Sequence, residues 1–537
     1  MPPESPCRLP RSAFWDWLRD MEGVGALRFS TSLQPPSESP CHRPRPSFVR
    51  LGPPSSAFVY LLKFFVGDFI MKEETPNGTA KNRTFTEKSE TEVIIMKTVI
   101  IGANHAGIAA ANTLLDNYPD QQVVMIDRNT NLSYLGCGTA LWVGRQIDSY
   151  ENLFYTNKEA FEAKGADIRM ETSVTRIDFD KKVVYCQGAD GSSSEVTYDK
   201  LVLATGSLPI APALPGNDLE GISFLKLFQD GQEVDRQISS DQVEHVAVIG
   251  AGYIGVEIAE AAKRRGKQVL LFDVAPTSLA SYYDPEFAKE MDKNLQEHGI
   301  ETHYQERAVA YKGNGRVEAI VTDKGEYPAE LVINAIGFRP NNQLGKEHLD
   351  CFANGAYRVN SHQQTSDPDV YAVGDCATIY SNALQAETYI ALATNAVRSG
   401  IVAGHNIGGT PLESIGVQGS NGISIFGYNM VSTGLSVAAA KKYGMKVSHT
   451  DYEDLQKPGF MKENAKVKIR IVYETESRRV VGAQMASTED ISMGIHMFSL
   501  AIEEGVTIDR LKLLDIFFLP HFNQPYNYIT MAALGAK

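Results

Sequence analysis

The chain has 537 residues, 43% hydrophobic and 22% charged, enough for several packed domains rather than one. A net charge of −14 with no basic block argues against nucleic-acid binding. Six cysteines (Cys7, Cys41, Cys137, Cys186, Cys351, Cys376) include no C-x-x-C pair, which speaks against zinc and iron–sulfur sites, gives no reason to expect a metal, and reads as a reduced cytoplasmic protein.

Residues 1–95 differ in texture from the rest. Prolines cluster there (Pro2-Pro3, Pro35-Pro36, Pro53-Pro54) and apolar periodicity is poor. The apolar run from Ser56 to Met71 contains Lys63 and Asp68 and is short for a membrane span. A signal peptide would lie nearer the start. The expectation is a disordered leader with no membrane anchor, and Met96 opens the first predicted strand as an initiator would.

From Met96 the order is clear. Lys97 to Gly102 is a predicted buried strand, Gly102-Ala103-Asn104-His105-Ala106-Gly107 a tight turn, and Ile108 to Asn117 a helix. The strand Gln122 to Ile126 then ends at Asp127. This is a Rossmann βαβ unit: glycines for the turn, a helix N-terminus for pyrophosphate, an acid for ribose hydroxyls. Asn104 stands where the fingerprint has its second glycine. Next comes Ser133-Tyr134-Leu135-Gly136-Cys137-Gly138, a lone cysteine bracketed by glycines. Without a partner it cannot form an internal disulfide. It can cycle between thiolate and sulfenic acid, which suits chemistry on peroxide or dioxygen. That role needs a lowered thiol pKa, which a helix opening at Thr139–Trp142, or His105, could supply. The alternative is a buried inert cysteine, the commoner fate. Cys186, Cys351 and Cys376 have no such setting and read as structural. A helix N-terminus disfavours a charged imidazole, so His105 is expected neutral.

Leu201 to Ser207 is a strand ending in the small-residue turn Ala204-Thr205-Gly206, and a Pro-rich linker follows from Pro209 to Gly216. The dinucleotide pattern then returns. The strand Val246–Ile249 leads to Gly250-Ala251-Gly252-Tyr253-Ile254-Gly255, a helix through Arg265, a strand Gln268–Phe272, and Asp273. An acid here accepts from a 2′-hydroxyl and repels a 2′-phosphate. Val274 and Ala275 offer no arginine, so NADH is expected over NADPH. Two such units imply two dinucleotides and electron passage between them. Ala335 to Pro340 reads as the crossing back, and Asp369 to Asp375 as a strand ending in Gly374-Asp375. Beyond Gly408-Gly409 come Gly-rich strands (Gly416 to Gly434), a helix (Ser436–Tyr443) and β-branched strands (Lys466–Tyr473, Val480–Met485). These predict an antiparallel sheet with flanking helices.

Together these motifs resemble the pyridine nucleotide–disulfide oxidoreductase family. They are most similar to its single-cysteine branch of water-forming NADH oxidases, NADH peroxidases and coenzyme A-disulfide reductases, and among these to the water-forming oxidases. The resemblance spans Met96 to Lys537. It rests most on Gly102–Gly107, Ser133–Gly138 and the tail Phe517–Tyr528. It implies an α/β fold with two Rossmann-like domains, for FAD and NADH, and a C-terminal α+β dimerisation domain. The expected division is FAD domain 96–212 and 336–414, NADH domain 213–335, and dimerisation domain 415–537. FAD would lie against Gly102, Asn104, His105, Ala106, Gly107, Asp127, Cys137, Ala204, Thr205 and Gly206, with Asp375 on its ribityl chain. NADH would lie against Gly250, Gly252, Tyr253, Ile254, Gly255, Asp273 and Gly337. Cys137 and His105 would be catalytic. Tyr253 would cover the flavin and Glu257 would face it, although plain helix packing accounts for either as well. The partners implied are NADH, dioxygen and a second copy of the chain, whose tail would bring His521, Phe522 and Tyr526 to the site. The implied reaction is two NADH plus dioxygen to two NAD⁺ and two water, with Cys137 passing through sulfenic acid. NADH peroxidase, coenzyme A-disulfide reductase and a redox-sensing flavoprotein remain alternatives.

Overall fold

The computed structural model describes residues 95–537, so the expected leader, apart from Ile95, lies outside the described residues, as do Cys7 and Cys41. Three five-stranded sheets organise the described chain. The first is all parallel, in the order Val370–Ala372, Lys200–Leu203, Met96–Ile101, Gln121–Ile126, Asp167–Arg169. Its central strand is buried on both faces (Val99, Ile100), which is why it reads as an unbroken apolar run. The second is also parallel, in the order Ile300–Tyr304, Gln268–Asp273, His245–Ile249, Leu331–Asn334, Ile222–Ser223. The third is antiparallel: Asn421–Ile425, Tyr428–Gly434, Val480–Ser487, Lys466–Glu474, Val447–Leu455. The helices Ser492–Glu503 and Tyr528–Leu534 cover it.

The chain leaves the first sheet through the strand Ser207–Pro209 and returns through Phe338–Pro340, and these two crossing strands pair antiparallel. The ribbon takes in Pro209, the first residue of the expected linker, and Phe338–Pro340, the end of the expected return. After the first turn the helix begins at His105, three residues before the sequence reading placed it, because Asn104 caps it: Asn104 Oδ1 accepts from the His105 N–H at 3.0 Å. The helix His105–Asn117 packs directly on Ala393–Ile407. A Cβ on Gly400 would stand 2.3 Å from the Ala106 carbonyl oxygen, and one on Gly374 2.9 Å from the Ala106 Cβ. That close approach carries Asp375, distant in sequence, to the start of the His105 helix. Among the described residues, no helix is long and apolar enough to cross a membrane.

Candidate functional site

The first turn closes where the sequence placed it. Gly102 has φ +115°, and a Cβ there would lie 2.1 Å from the Ala204 carbonyl oxygen, so only glycine fits. Gly107 lies directly against the Gly102 carbonyl, which draws the helix onto the turn. Asp127 does more than await a ribose. Its Oδ2 accepts from the Ala103 N–H (2.7 Å) and its Oδ1 from the Asn129 N–H (2.8 Å), so it ties the turn to the second strand. The second turn repeats this. Gly250 has φ +101°, and a Cβ would meet the Ala335 carbonyl oxygen at 2.5 Å. Asp273 accepts from Ala251 N–H (2.6 Å) and Ala275 N–H (2.7 Å). A carboxylate has lone pairs left for a ribose after two such bonds.

The residues present fit two dinucleotides. Where a Cβ on Gly252 or Gly206 would stand, no protein atom lies within 4 Å, so backbone N–H groups there can be approached closely. Thr205 is held beside Gly206 by its Oγ1, which donates to the Asn341 carbonyl at 2.6 Å. Ala204 forms the wall of the first turn and Ala106 the contact with Gly374. Gly337 (φ +109°) precedes the returning strand, and Ile254 packs into the core beneath the second sheet.

Cys137 sits in a 3₁₀ turn, Gly136–Gly138, followed by a helix of only five residues, Thr139–Val143. The loop is anchored to the first turn by the Ser133 N–H, which donates to the Ala103 carbonyl at 3.1 Å. Ser133 is fully buried in left-handed backbone (φ 64°), with its Oγ donating to the Thr156 carbonyl at 2.7 Å. Beneath the loop, Tyr134, Trp142, Tyr150, Phe154 and Phe228 form an aromatic floor. Gly138 packs closely under Leu153: a Cβ would lie 2.4 Å from Leu153 Cδ2, so a larger residue there must move that side chain. Cys137 is exposed, whereas Cys186 and Cys376 are buried and Cys351 half-buried.

The thiol environment corrects the sequence reading. The expected depression of the Cys137 pKa is absent from the chain alone. Although the residue is exposed, the protein packed around the sulfur partly desolvates it and pushes the thiol up, the Glu257 carboxylate pushes it further, and the Cys137 and Gly138 N–H groups offset this only in part. The helix that was to lower it is a turn and a half long, too short for much of a dipole. His105 does behave as expected: burial lowers its pKa, Asp375 raises it and Lys226 lowers it, leaving a neutral ring at pH 7. Its Nδ1 meets the Tyr155 hydroxyl at 3.1 Å, a partner that no local motif announces. Glu257, on the helix of the second unit, acts on the Cys137 thiol electrostatically, and burial raises its own carboxyl to about 7. The Tyr253 hydroxyl donates to Asn421 Oδ1 of the third sheet and lies 3.1 Å from the Tyr283 hydroxyl oxygen. Asp375 accepts from Ser207 Oγ at 2.9 Å and lies 3.4 Å from Lys226 Nζ. In the tail, His521, Phe522 and Tyr526 point outward and no hydrogen bond joins their side chains to either turn.

Two nucleotide cradles, with a lone thiol anchored to the first and a carboxylate brought to it by the second, define a two-dinucleotide oxidoreductase. The family described as pyridine nucleotide-disulphide oxidoreductase matches residues 96–400, and its dimerisation domain matches residues 422–527. The chain belongs to this family. An NADH oxidase of Lactococcus lactis subsp. cremoris is 66% identical over 446 residues, covering 82% of this chain and 100% of that protein. One of Streptococcus pyogenes serotype M6 is 55% identical over 454 residues, covering 82% and 99%. Among solved structures, the water-forming NADH oxidase from Lactobacillus brevis bound to NADH has a TM-score of 0.79 at 34% identity, covering 82% of this chain and 97% of that one. The fold is two Rossmann-like dinucleotide domains with a C-terminal dimerisation domain, and the nucleotides are FAD and NADH.

Proposed function

We propose that the chain oxidises NADH with dioxygen and releases water. The observation that carries this reading is the exposed Cys137, anchored to the first turn through Ser133 and Ala103, with His105 at the start of the helix that follows that turn. The names of the relatives support it. FAD is held by the first turn with Asp127, Thr205, Gly206 and Asp375, and NADH by the second turn with Asp273 and Gly337. The FAD domain is formed by 96–212 and 336–414, the NADH domain by 213–335, and the dimerisation domain by 415–537.

FAD, when bound, would supply the redox chemistry that carries two electrons from NADH to dioxygen, which with two protons becomes hydrogen peroxide. The chain's own residues supply the rest. Cys137, as thiolate, attacks hydrogen peroxide: an S–O bond forms, the O–O bond breaks, and the leaving oxygen takes a proton to become water. Two electrons from a second NADH and two protons return the sulfenic acid to thiol with a second water. Neutral His105, oriented by Tyr155, keeps Nε2 free of protein hydrogen bonds among the described residues and can donate or accept a proton beside the peroxide. Within the chain, the Cys137 and Gly138 N–H groups are what favour the thiolate, against burial and the Glu257 carboxylate. Asp273, with no arginine beside it, favours NADH. A second copy of the chain docks on the exposed apolar tail (Phe517, Phe518, Leu519, Phe522, Tyr526), which serves the neighbouring site.

The test is oxygen uptake with excess NADH, followed by catalase. Native enzyme uses two NADH per dioxygen and catalase returns no oxygen. Cys137→Ser still consumes NADH and dioxygen, one for one, and catalase returns half the oxygen. A serine variant that made only water would end the sulfenic acid reading.

A further inference from the structure

Lys226 belongs to none of the motifs, yet its ammonium sits where the parts of the site join. Nζ donates to Ser207 Oγ at 2.8 Å, lies 3.4 Å from Asp375 Oδ2, and rests 4.7 Å from the centre of the Phe338 ring. Ser207 and Phe338 lie on the two crossing strands, Asp375 on the turn that packs against the His105 helix, and Lys226 itself just beyond the edge strand of the second sheet. One cation therefore touches the outgoing crossover, the returning crossover and the acid of the first unit.

The backbone of Lys226 is equally fixed. Its N–H donates to Asp230 Oδ2 at 3.0 Å, and its carbonyl oxygen lies 3.9 Å from where a Cβ on Gly136 would stand, one residue from Cys137. The next residue but one, Phe228, enters the aromatic floor under the cysteine loop. The ion pair itself is partly solvated, with side-chain exposures of 29% and 22%, and a pair so placed contributes little to stability. Its position is what distinguishes it.

We propose that Lys226 is a positioning residue for the flavin. It aims the Asp375 carboxylate, holds the second unit in register on the first, and supplies a positive charge that favours the reduced, more negative cofactor. This rests on the reading of Asp375 as a flavin ligand.

The experiment uses the holoenzyme with Lys226→Met, Lys226→Arg and Asp375→Asn, measuring FAD dissociation, the two-electron potential of the bound flavin, and thermal stability. Lys226→Met is expected to loosen FAD severalfold. It should also lower the equilibrium ratio of reduced to oxidised flavin about tenfold, a shift of about 30 mV to more negative potential. Lys226→Arg restores most of both. Should the methionine variant fail to fold, Lys226→Gln, which keeps a hydrogen bond to Ser207 without the charge, carries the same expectation. A lowered melting temperature with unchanged potential and FAD affinity would reduce Lys226 to a structural tie and overturn the proposal. Unchanged FAD affinity in Asp375→Asn would remove the premise instead.

Discussion

The two glycine-rich turns share one wiring and carry different chemistry. In each, the first glycine N–H donates to a carbonyl at the end of the neighbouring strand, one residue before its aspartate (Gly102 to Ile126, 2.9 Å; Gly250 to Phe272, 2.8 Å). In each, a strand-end aspartate grips the next N–H (Asp127 to Ala103; Asp273 to Ala251). The side chains then diverge. Asn104 caps its helix where Gly252 leaves open space, His105 replaces Tyr253, and Ala109 stands where the second helix has Glu257. Ala109 is small because the helix Ala393–Ile407 lies close: a Cβ on Gly400 would come within 2.9 Å of the Ala109 Cβ. Glu257 acts on the thiol through its charge. Backbone geometry makes a nucleotide cradle, and the residues one and five places past its middle decide what happens there.

The strongest break in this symmetry is expected from the first glycines. Gly102→Ala and Gly250→Ala each force a Cβ into a carbonyl at positive φ, costing roughly 3 kcal/mol. Gly102→Ala should yield protein without flavin, whereas Gly250→Ala should stay yellow and lose NADH binding. Calorimetric titration with NADH and the flavin spectrum separate the two, and loss of flavin from both would unseat the assignment of the turns.

A smaller effect is expected at the strand-end acid. Asp273→Ala with Val274→Arg should raise KM for NADH about tenfold and admit NADPH. Because Asp273 also holds its own turn, some loss of stability accompanies the switch, a cost that the sequence reading did not foresee. No gain with NADPH would weaken the ribose assignment.

The finest contrast is Glu257 against Ala109. Its carboxyl, ordinarily near 4.5, is raised to about 7, so the folded chain holds that proton more tightly than the unfolded one. The stability contribution is therefore full below the unfolded value and declines as pH rises toward 7. Glu257→Gln should flatten the decline in melting temperature across that window. It should also let Cys137 titrate lower, since the Glu257 charge raises the thiol, and alkylation at pH 8 should quicken severalfold. An unchanged alkylation profile would show that the carboxylate does not act on the cysteine.

Both turns were legible because their signals are local. A buried strand, closely spaced glycines and a strand-end acid are bound to one another within some thirty residues. The cysteine loop was legible as a location and misread as an environment. Its helix is too short to depress the thiol, burial raises it, and a carboxylate on a helix in the other nucleotide unit raises it further. Tyr155 and Lys226 had no local signature at all, being one tyrosine and one lysine among many until folding set them against His105 and Asp375.

The sequence by itself determined the two cradles, the lone thiol and the order of the units, since glycine sterics and apolar periodicity act between near neighbours. Only the tertiary structure decided which charges meet. Electrostatic influence on Cys137 and His105 depends on distances set by helix packing at Gly374 and Gly400 and by the paired crossing strands, and no run of neighbouring residues encodes those distances.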